Sequence, residues 1–138
     1  MLNQRLIHPT ILEAIGSAGH SSRILIADGN YPASTKLGEN SDLVYLNLTP
    51  GFPTVTQVLD VLLTAVPVEA AMVMVPDDGS EPPIFGEFRE FLGAVPLTPS
   101  ERFNFYDEAG SMDTCLTIVT GEQRIYANLL LTIGVRTG

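Results

Sequence analysis

A chain of 138 residues, 45% of them hydrophobic, is long enough for about one domain with a buried core. Its 16 acidic and 7 basic residues give a formal charge of -9 without any basic run, which disfavours binding to nucleic acid or to anionic lipid. One cysteine, Cys115, and two histidines are too few for a disulfide or for the usual structural zinc site.

The first residues, Met1 to Arg5, lead into polar sequence and lack the apolar core of a signal peptide. No apolar run approaches the roughly 18 residues that a membrane-spanning helix needs. We therefore expect a cytoplasmic protein. The chain contains more apolar residues than a domain with so small a surface requires. We therefore also expect some of these apolar residues to lie in contacts between subunits.

Apolar periodicity predicts helices and strands that alternate along the chain. In chain order the predicted elements are a helix from Pro9 that ends near Gly19, strands at 23–27 and 43–46, a turn at 50–53, a helix over 55–63, a strand at 70–75, a helix that carries Phe85, Phe88, Phe91 and Leu92, and strands at 116–119 and 128–133. This alternation predicts a single layered α/β domain over residues 1–138, with a central, largely parallel or mixed sheet flanked by helices.

Burial can be assigned to several of these segments. The Phe85, Phe88, Phe91 and Leu92 stripe recurs at helical spacing, which is more typical of a core than of a ligand site. Cys115 lies in a strand-like setting, so we expect it to pack in the core. Segments 36–42 and 76–83 are predicted to be exposed loops, and no internal repeat or linker is present.

Sequence motifs for common chemistries are absent: there is no phosphate-binding glycine loop, no Gly-x-Ser-x-Gly motif and no His-Glu-x-x-His pair. His20 follows Gly19 at the end of the first helix, and Asp28 follows the first strand. From these two residues alone, a capping histidine and a loop aspartate are the simpler interpretation. Only the tertiary fold can bring them to one cleft.

A second group of polar residues lies near the end of the chain. Arg102 stands beside Phe103, Phe105 and Tyr106, where an arginine most often forms a surface ion pair or stacks on a ring. Tyr126 and Asn128 share one face if their segment is extended, because side chains in a strand repeat every second residue. That arrangement would suit a polyhydroxyl ligand.

Several segments, in this order and spacing, resemble the family of fucose mutarotases and ribose pyranases. The segments are Gly19-His20, Ile26-Ala27-Asp28-Gly29-Asn30-Tyr31-Pro32, Arg102-Phe103-Asn104-Phe105-Tyr106, Thr120-Gly121-Glu122, Tyr126-Ala127-Asn128-Leu129-Leu130 and Gly134-Val135. The resemblance runs nearly end to end. It implies sugar ring interconversion without a metal or organic cofactor, in a ring of subunits, a pentamer or decamer, with sites at or near subunit contacts.

The resemblance also implies roles for individual residues. His20 matches the proton donor of the family, and Asp28 matches a sugar-binding aspartate. Tyr126 and Asn128 match sugar-binding side chains, with the backbone of Ala127 between them. Arg102 matches the fucose branch, since the ribose branch has a histidine there.

Asn30 departs from the fucose branch, where histidine is often found, so a proton-transfer role at that position is not expected. An asparagine amide can still hydrogen-bond a sugar hydroxyl. Which group serves as the general base, and which sugar is the natural one, are not given by the sequence.

Mutarotation needs little catalytic machinery, because sugars already mutarotate in water and two positioned proton-transfer groups suffice. Imidazole suits this task because it exchanges protons near neutral pH. Three alternatives remain beside a fucose-like mutarotase: a ribose pyranase, which exchanges pyranose and furanose rings, a non-catalytic sugar-binding accessory protein, and a purely structural α/β subunit.

Overall fold

A six-stranded mixed sheet organises the computed structural model, which describes residues 1–138. Its elements, in chain order, are α1 (Pro9–Ser17), β1 (Arg23–Ala27), β2 (Asp42–Tyr45), α2 (Val55–Leu62), β3 (Val68–Met74), α3 (Ile84–Leu92), β4 (Leu97–Ser100), α4 (Arg102–Ala109), β5 (Thr114–Val119) and β6 (Leu129–Ile133). The strands lie in the order β2-β5-β1-β6-β3-β4. The predicted α/β class with a mixed, helix-flanked sheet is confirmed.

Strand β6 alone runs against its neighbours. It pairs antiparallel with β1 and β3, whereas β1–β5, β2–β5 and β3–β4 are parallel. The carboxyl ends of β1 to β5 therefore meet at one edge of the sheet, and the segment that enters β6 arrives at that same edge. In open α/β sheets this is the edge at which ligands bind.

Two hydrophobic clusters cover the two faces of the sheet. Because successive strand side chains point to opposite faces, Ile24 and Ile26 enter the larger cluster with α1, α2 and α3, whereas Leu25 and Ala27 enter the smaller one. The smaller cluster is closed by α4, through Phe105. Cys115 is half-buried and packs against the larger cluster, in agreement with its predicted core role.

Most predicted elements are present within one or two residues of their expected bounds. The aromatic stripe of α3 is the exception in detail: Phe85, Phe88 and Leu92 are buried, but Phe91 is 39% exposed, so its predicted core position is wrong. Elements β4 and α4 were not predicted. Pro99 lies within β4, where an edge strand tolerates it because no ladder hydrogen bond is lost on the open side.

The turn between β5 and β6 is fixed by close backbone packing. The Gly121 N–H donates to the Pro53 carbonyl at 2.9 Å, and the Gly121 carbonyl accepts from the Gly51 N–H at 2.6 Å. A Cβ at position 121 would lie 2.4 Å from the Thr49 carbonyl oxygen, so only glycine fits there. This contact anchors the segment that leads back towards β6.

No helix of the structure combines the length and the apolar character needed to cross a membrane.

Candidate functional site

A cavity of about 330 Å³ opens at the carboxyl edge of the sheet, between the loop after β1, the end of β3, the start of α4 and the segment before β6. Its size is at the lower end of the range for small-molecule sites. Polar side chains converge on it from three of these elements. Another cavity of about 330 Å³, between the amino-terminal segment and α2, is lined mainly by hydrophobic side chains and offers no comparable convergence.

The floor of the cavity is built on a reciprocal contact between Asp28 and Asn128. The Asp28 backbone N–H donates to Asn128 Oδ1 at 2.8 Å, and Asn128 Nδ2 donates to Asp28 Oδ2 at 3.1 Å. Both side chains are buried, at 5% and 4% exposure. The two residues predicted to bind sugar from distant parts of the sequence thus form one unit at the ends of β1 and β6.

The loop after β1 turns back on the Asp28 carboxylate. Asp28 Oδ1 accepts the Asn30 N–H at 2.9 Å, which is the Asx turn that aspartate favours after a strand. Burial raises the pKa of Asp28, although the hydrogen bonds from Asn30 and Asn128 oppose the shift. The exposed Asn30 side chain also lines the cavity, so its amide is available there.

Helix α4 places a cation at the mouth of the cavity. Its N-cap is Glu101, whose carboxylate accepts the N–H groups of Asn104 at 2.5 Å and of Phe103 at 3.1 Å. Arg102, the first helical residue, donates from Nη2 to the Tyr126 hydroxyl at 3.3 Å. The Arg102 guanidinium keeps its other donors free at an exposed position.

Tyr126, Ala127 and Asn128 approach the site differently from the prediction. Tyr126 adopts a positive φ of 60°, so the segment is not extended before β6, and the strand periodicity expected to align Tyr126 with Asn128 does not apply. Both side chains nevertheless line the cavity, because the left-handed residue turns the chain towards it. Ala127, between them in the sequence, is fully buried and is not among the residues that line the cavity.

His20 is a predicted site residue that the fold places far from the cavity. It is exposed, and its Nε2 lies 2.9 Å from Glu69 Oε1. His20 precedes β1 and Asp28 follows it, and five strand residues at about 3.3 Å each separate the two by roughly 16 Å along the sheet. Within one chain the carboxylate that contacts His20 is therefore that of Glu69, and Asp28 does not contact His20.

Four further residues line the cavity without having been singled out as site residues: Tyr31, Met74, Tyr106 and Ile125. Tyr106 lies one helical turn after Arg102, so the two share a face of α4. Recognition of that helix would have predicted their proximity. Met74 ends β3 next to β6, which only the strand order reveals.

Known proteins match nearly the whole chain. A model of the RbsD / FucU transport protein family matches residues 1–136. The fucose mutarotase of Homo sapiens is 32% identical, over 94% of this chain and 90% of the relative. The D-ribose pyranase of Clostridium botulinum (strain Eklund 17B / Type B) is 28% identical, with 98% of each chain covered.

A solved structure has the same fold. The fucose mutarotase from Streptococcus pneumoniae, in complex with L-fucose, superposes with a TM-score of 0.84 at 24% identity, covering 99% of this chain and 100% of that chain. The resemblance predicted from the sequence segments is therefore confirmed at the level of family and fold.

Proposed function

The chain belongs to the RbsD/FucU transport protein family, and on that premise we propose that residues 1–138 act as one monosaccharide mutarotase domain, an isomerase that interconverts the anomers of a fucose-like sugar. The observation that carries the proposal is the Asp28–Asn128 unit at the floor of a polar cavity whose mouth holds Arg102. Carboxylate, amide and guanidinium groups together supply the acceptors and donors that a sugar's hydroxyls require.

The reaction requires only proton transfer. A proton leaves the anomeric hydroxyl while another is delivered to the ring oxygen, and the bond between the anomeric carbon and the ring oxygen breaks. The resulting open-chain aldehyde rotates about its bond to C2, and the ring recloses with the opposite configuration. Positioned acid-base groups typically accelerate such steps by about 10²- to 10⁴-fold.

We assign Asp28 to sugar binding and not to proton transfer. Each of its carboxylate oxygens already accepts one hydrogen bond within the chain, from the Asn30 N–H and from Asn128 Nδ2. These bonds fix the carboxylate and leave its remaining lone pairs for sugar hydroxyls. Tyr126 and Asn128 line the same cavity. We propose that both side chains and the backbone of Ala127 between them also bind the sugar, and that the exposed guanidinium of Arg102 holds sugar hydroxyls at the mouth.

His20 is proposed as the proton donor, supplied to the cavity by a neighbouring copy of the chain. Glu69 fixes its imidazole at 2.9 Å, in the way that a carboxylate orients a catalytic histidine. Because His20 and the cavity lie at opposite edges of the sheet, a neighbour that presents its His20 uses a different surface from the one that receives it. Repeated head-to-tail contacts of this kind form a ring when the rotation between neighbours closes, and we propose that it closes here.

Exposed apolar side chains around the cavity support such a contact. Ile125 is 70% exposed on the cavity wall, and Phe103 is 69% exposed beside Tyr106, which it meets edge-on at 6.1 Å. Large apolar side chains grouped around a site are typical of a surface that another subunit covers. We propose that the chain assembles into a pentamer or decamer and acts without a metal or organic cofactor. We also propose a cytoplasmic location, where the free thiol of Cys115 stays reduced.

The proposal is tested by anomer exchange in free sugars. The signal of one anomeric proton is saturated, and transfer to the other anomer is followed with and without the protein, for L-fucose, D-ribose and a small set of other monosaccharides. We expect exchange above the unaided rate, greatest for L-fucose. Binding without exchange would instead indicate a sugar-binding accessory protein, and no binding at all a structural subunit.

A ribose pyranase is the second candidate, favoured by the D-ribose pyranase match that covers 98% of both chains. It differs in substrate and in the ring forms that it exchanges. In the same experiment it would be recognised by faster exchange between pyranose and furanose signals of D-ribose than between the anomers of L-fucose.

A further inference from the structure

Tyr31 contributes a buried hydroxyl that makes no hydrogen bond within the chain. The residue follows the Asx turn after β1 and lines the cavity, with only 8% of its surface exposed. Its phenolic oxygen is shielded from solvent and has no partner. Buried polar atoms are nearly always paired, so this hydroxyl calls for an explanation.

Packing accounts for the ring of Tyr31 but not for its hydroxyl. The ring meets Phe105 edge-on, with centroids 6.2 Å apart, and meets Tyr106 edge-on at 5.4 Å. A phenylalanine would make both aromatic contacts and would leave no polar atom unpaired. The hydroxyl is therefore not needed for the packing of the side chain.

The side chain of Tyr31 lines the floor of the cavity, so a small shift of its ring would bring the shielded hydroxyl to a ligand there. Tyr31 shares that floor with the buried Asp28, Met74 and Asn128, whereas Arg102 and Ile125 are exposed at the mouth. Burial, with the nearby Tyr106 and Asp28, raises the pKa of Tyr31 far above its ordinary value, so the group stays protonated. A protonated hydroxyl both donates and accepts hydrogen bonds, as a sugar hydroxyl does.

We propose that the Tyr31 hydroxyl is a sugar-binding and specificity-determining group, which pairs with one ring hydroxyl of the monosaccharide at the cavity floor. The inference rests on the proposed mutarotase function and deepens it. It implies that the protein favours sugars that carry a hydroxyl at that single ring position over analogues that lack it.

The test compares wild type with Tyr31→Phe, which keeps the ring and removes only the oxygen. Exchange efficiency and binding are measured for L-fucose and for analogues that each lack one of the hydroxyls at C2, C3 or C4. Tyr31→Phe should lose about 5- to 150-fold for L-fucose, since a sugar hydroxyl is then buried without a partner. For the one analogue that lacks the contacted hydroxyl, wild type and Tyr31→Phe should have equal exchange efficiency and affinity. The thermal midpoint of Tyr31→Phe should not fall below that of wild type.

Tyr45→Phe serves as the matched control, because Tyr45 is 57% exposed on the edge strand β2 and lies outside the cavity. Tyr45→Phe should leave the exchange efficiency and the binding of every sugar unchanged. If wild type exchanges L-fucose and Tyr31→Phe matches it on all four sugars, the inference about Tyr31 is overturned while the mutarotase proposal stands. An equal loss on all four sugars with a lowered thermal midpoint would mean a structural role and would also overturn it. A wild type that neither binds nor exchanges any of the sugars would overturn both.

Discussion

Asp28 and Asn128, 100 residues apart in sequence, are joined by two hydrogen bonds in opposite directions, one from the Asp28 backbone N–H and one to its carboxylate. The pair ties the end of β1 to the start of β6, the neighbouring antiparallel strand. The same two groups thus hold the cavity floor together and are proposed to bind the ligand. We therefore expect stability and ligand binding to be coupled at this point.

Asn128→Ala tests that coupling. It leaves the buried Asp28 N–H without an acceptor and removes one donor from its carboxylate, so we expect about 1–3 kcal/mol lower free energy of unfolding and no detectable sugar exchange. Denaturant unfolding and anomer exchange measure the two effects. Asn40→Ala is the control, since the exposed Asn40 amide only donates to the Met112 carbonyl at 2.9 Å. Full stability in Asn128→Ala would show that the pair is not needed to hold the floor.

The raised pKa of Asp28 predicts a dependence of sugar affinity on pH. The ionised carboxylate accepts hydroxyl donors better than the neutral acid, so affinity should fall as the pH drops through the pKa of Asp28, at a midpoint above the ordinary value of about 3.9. Because the pKa is higher in the folded than in the unfolded chain, folding takes up a proton between the two values. This group's contribution to the free energy of unfolding therefore falls as the pH rises through that window. Calorimetric titration with L-fucose from pH 4 to 8 measures the affinity. If the affinity of Asp28→Asn falls equally as the pH drops, the pH dependence belongs to another group.

His20→Ala should abolish exchange without changing the fold, because His20 is exposed and contacts only Glu69. Its partnership with a neighbouring copy is tested by mixing. His20→Ala and Asp28→Asn should each be inactive alone, but co-assembled in equal amounts they should recover about one quarter of the parental exchange, since random neighbours then form some intact sites. Recovery that stays at zero in verified mixed rings would place both residues in one chain's site and contradict the proposal.

Assembly itself is a separate prediction. The apolar side chains exposed around the cavity, Phe103 and Ile125 among them, are expected to be covered by a neighbour. Light scattering at micromolar concentration should give the mass of a pentamer or a decamer. A monomer under those conditions would remove the route by which His20 reaches a cavity.

The sequence predicted the strands better than the site. Strand β1 matches its predicted bounds, because an unbroken apolar run that is closed by Asp28-Gly29 has few other conformations available. Helix α4 was missed since only Phe105 and Ala109 of its eight residues are buried, so its apolar periodicity is weak.

The geometry of the site residues depends on tertiary contacts. The left-handed backbone conformation of Tyr126 is rare for residues other than glycine, asparagine and aspartate, and no local sequence pattern indicates it. The separation of His20 from Asp28, by contrast, was available from the sequence, because a strand that lies between two residues carries them to opposite edges of its sheet.

Arg102 is the residue to which we attribute the proposed preference for a fucose-like sugar, and its substitution is the sharpest test of substrate class. Its Nη2 donates to the Tyr126 hydroxyl at 3.3 Å, which holds the planar guanidinium at the mouth with its remaining donors free for sugar hydroxyls. Arg102→Ala should therefore lower exchange efficiency for L-fucose by about 10- to 150-fold, the range expected for loss of a charge-assisted contact. D-ribose should lose less, because the contact is proposed to select the fucose-like sugar.

Arg102→Lys separates the charge of the side chain from its shape. It keeps the positive charge but replaces the rigid fork by an ammonium on a flexible stem, so it should restore little of the L-fucose exchange. The ratio of L-fucose to D-ribose efficiency is compared across the three proteins, which cancels errors in enzyme concentration and differences in general stability. Equal losses for both sugars would mean that Arg102 holds the mouth together, through Tyr126, without selecting the sugar.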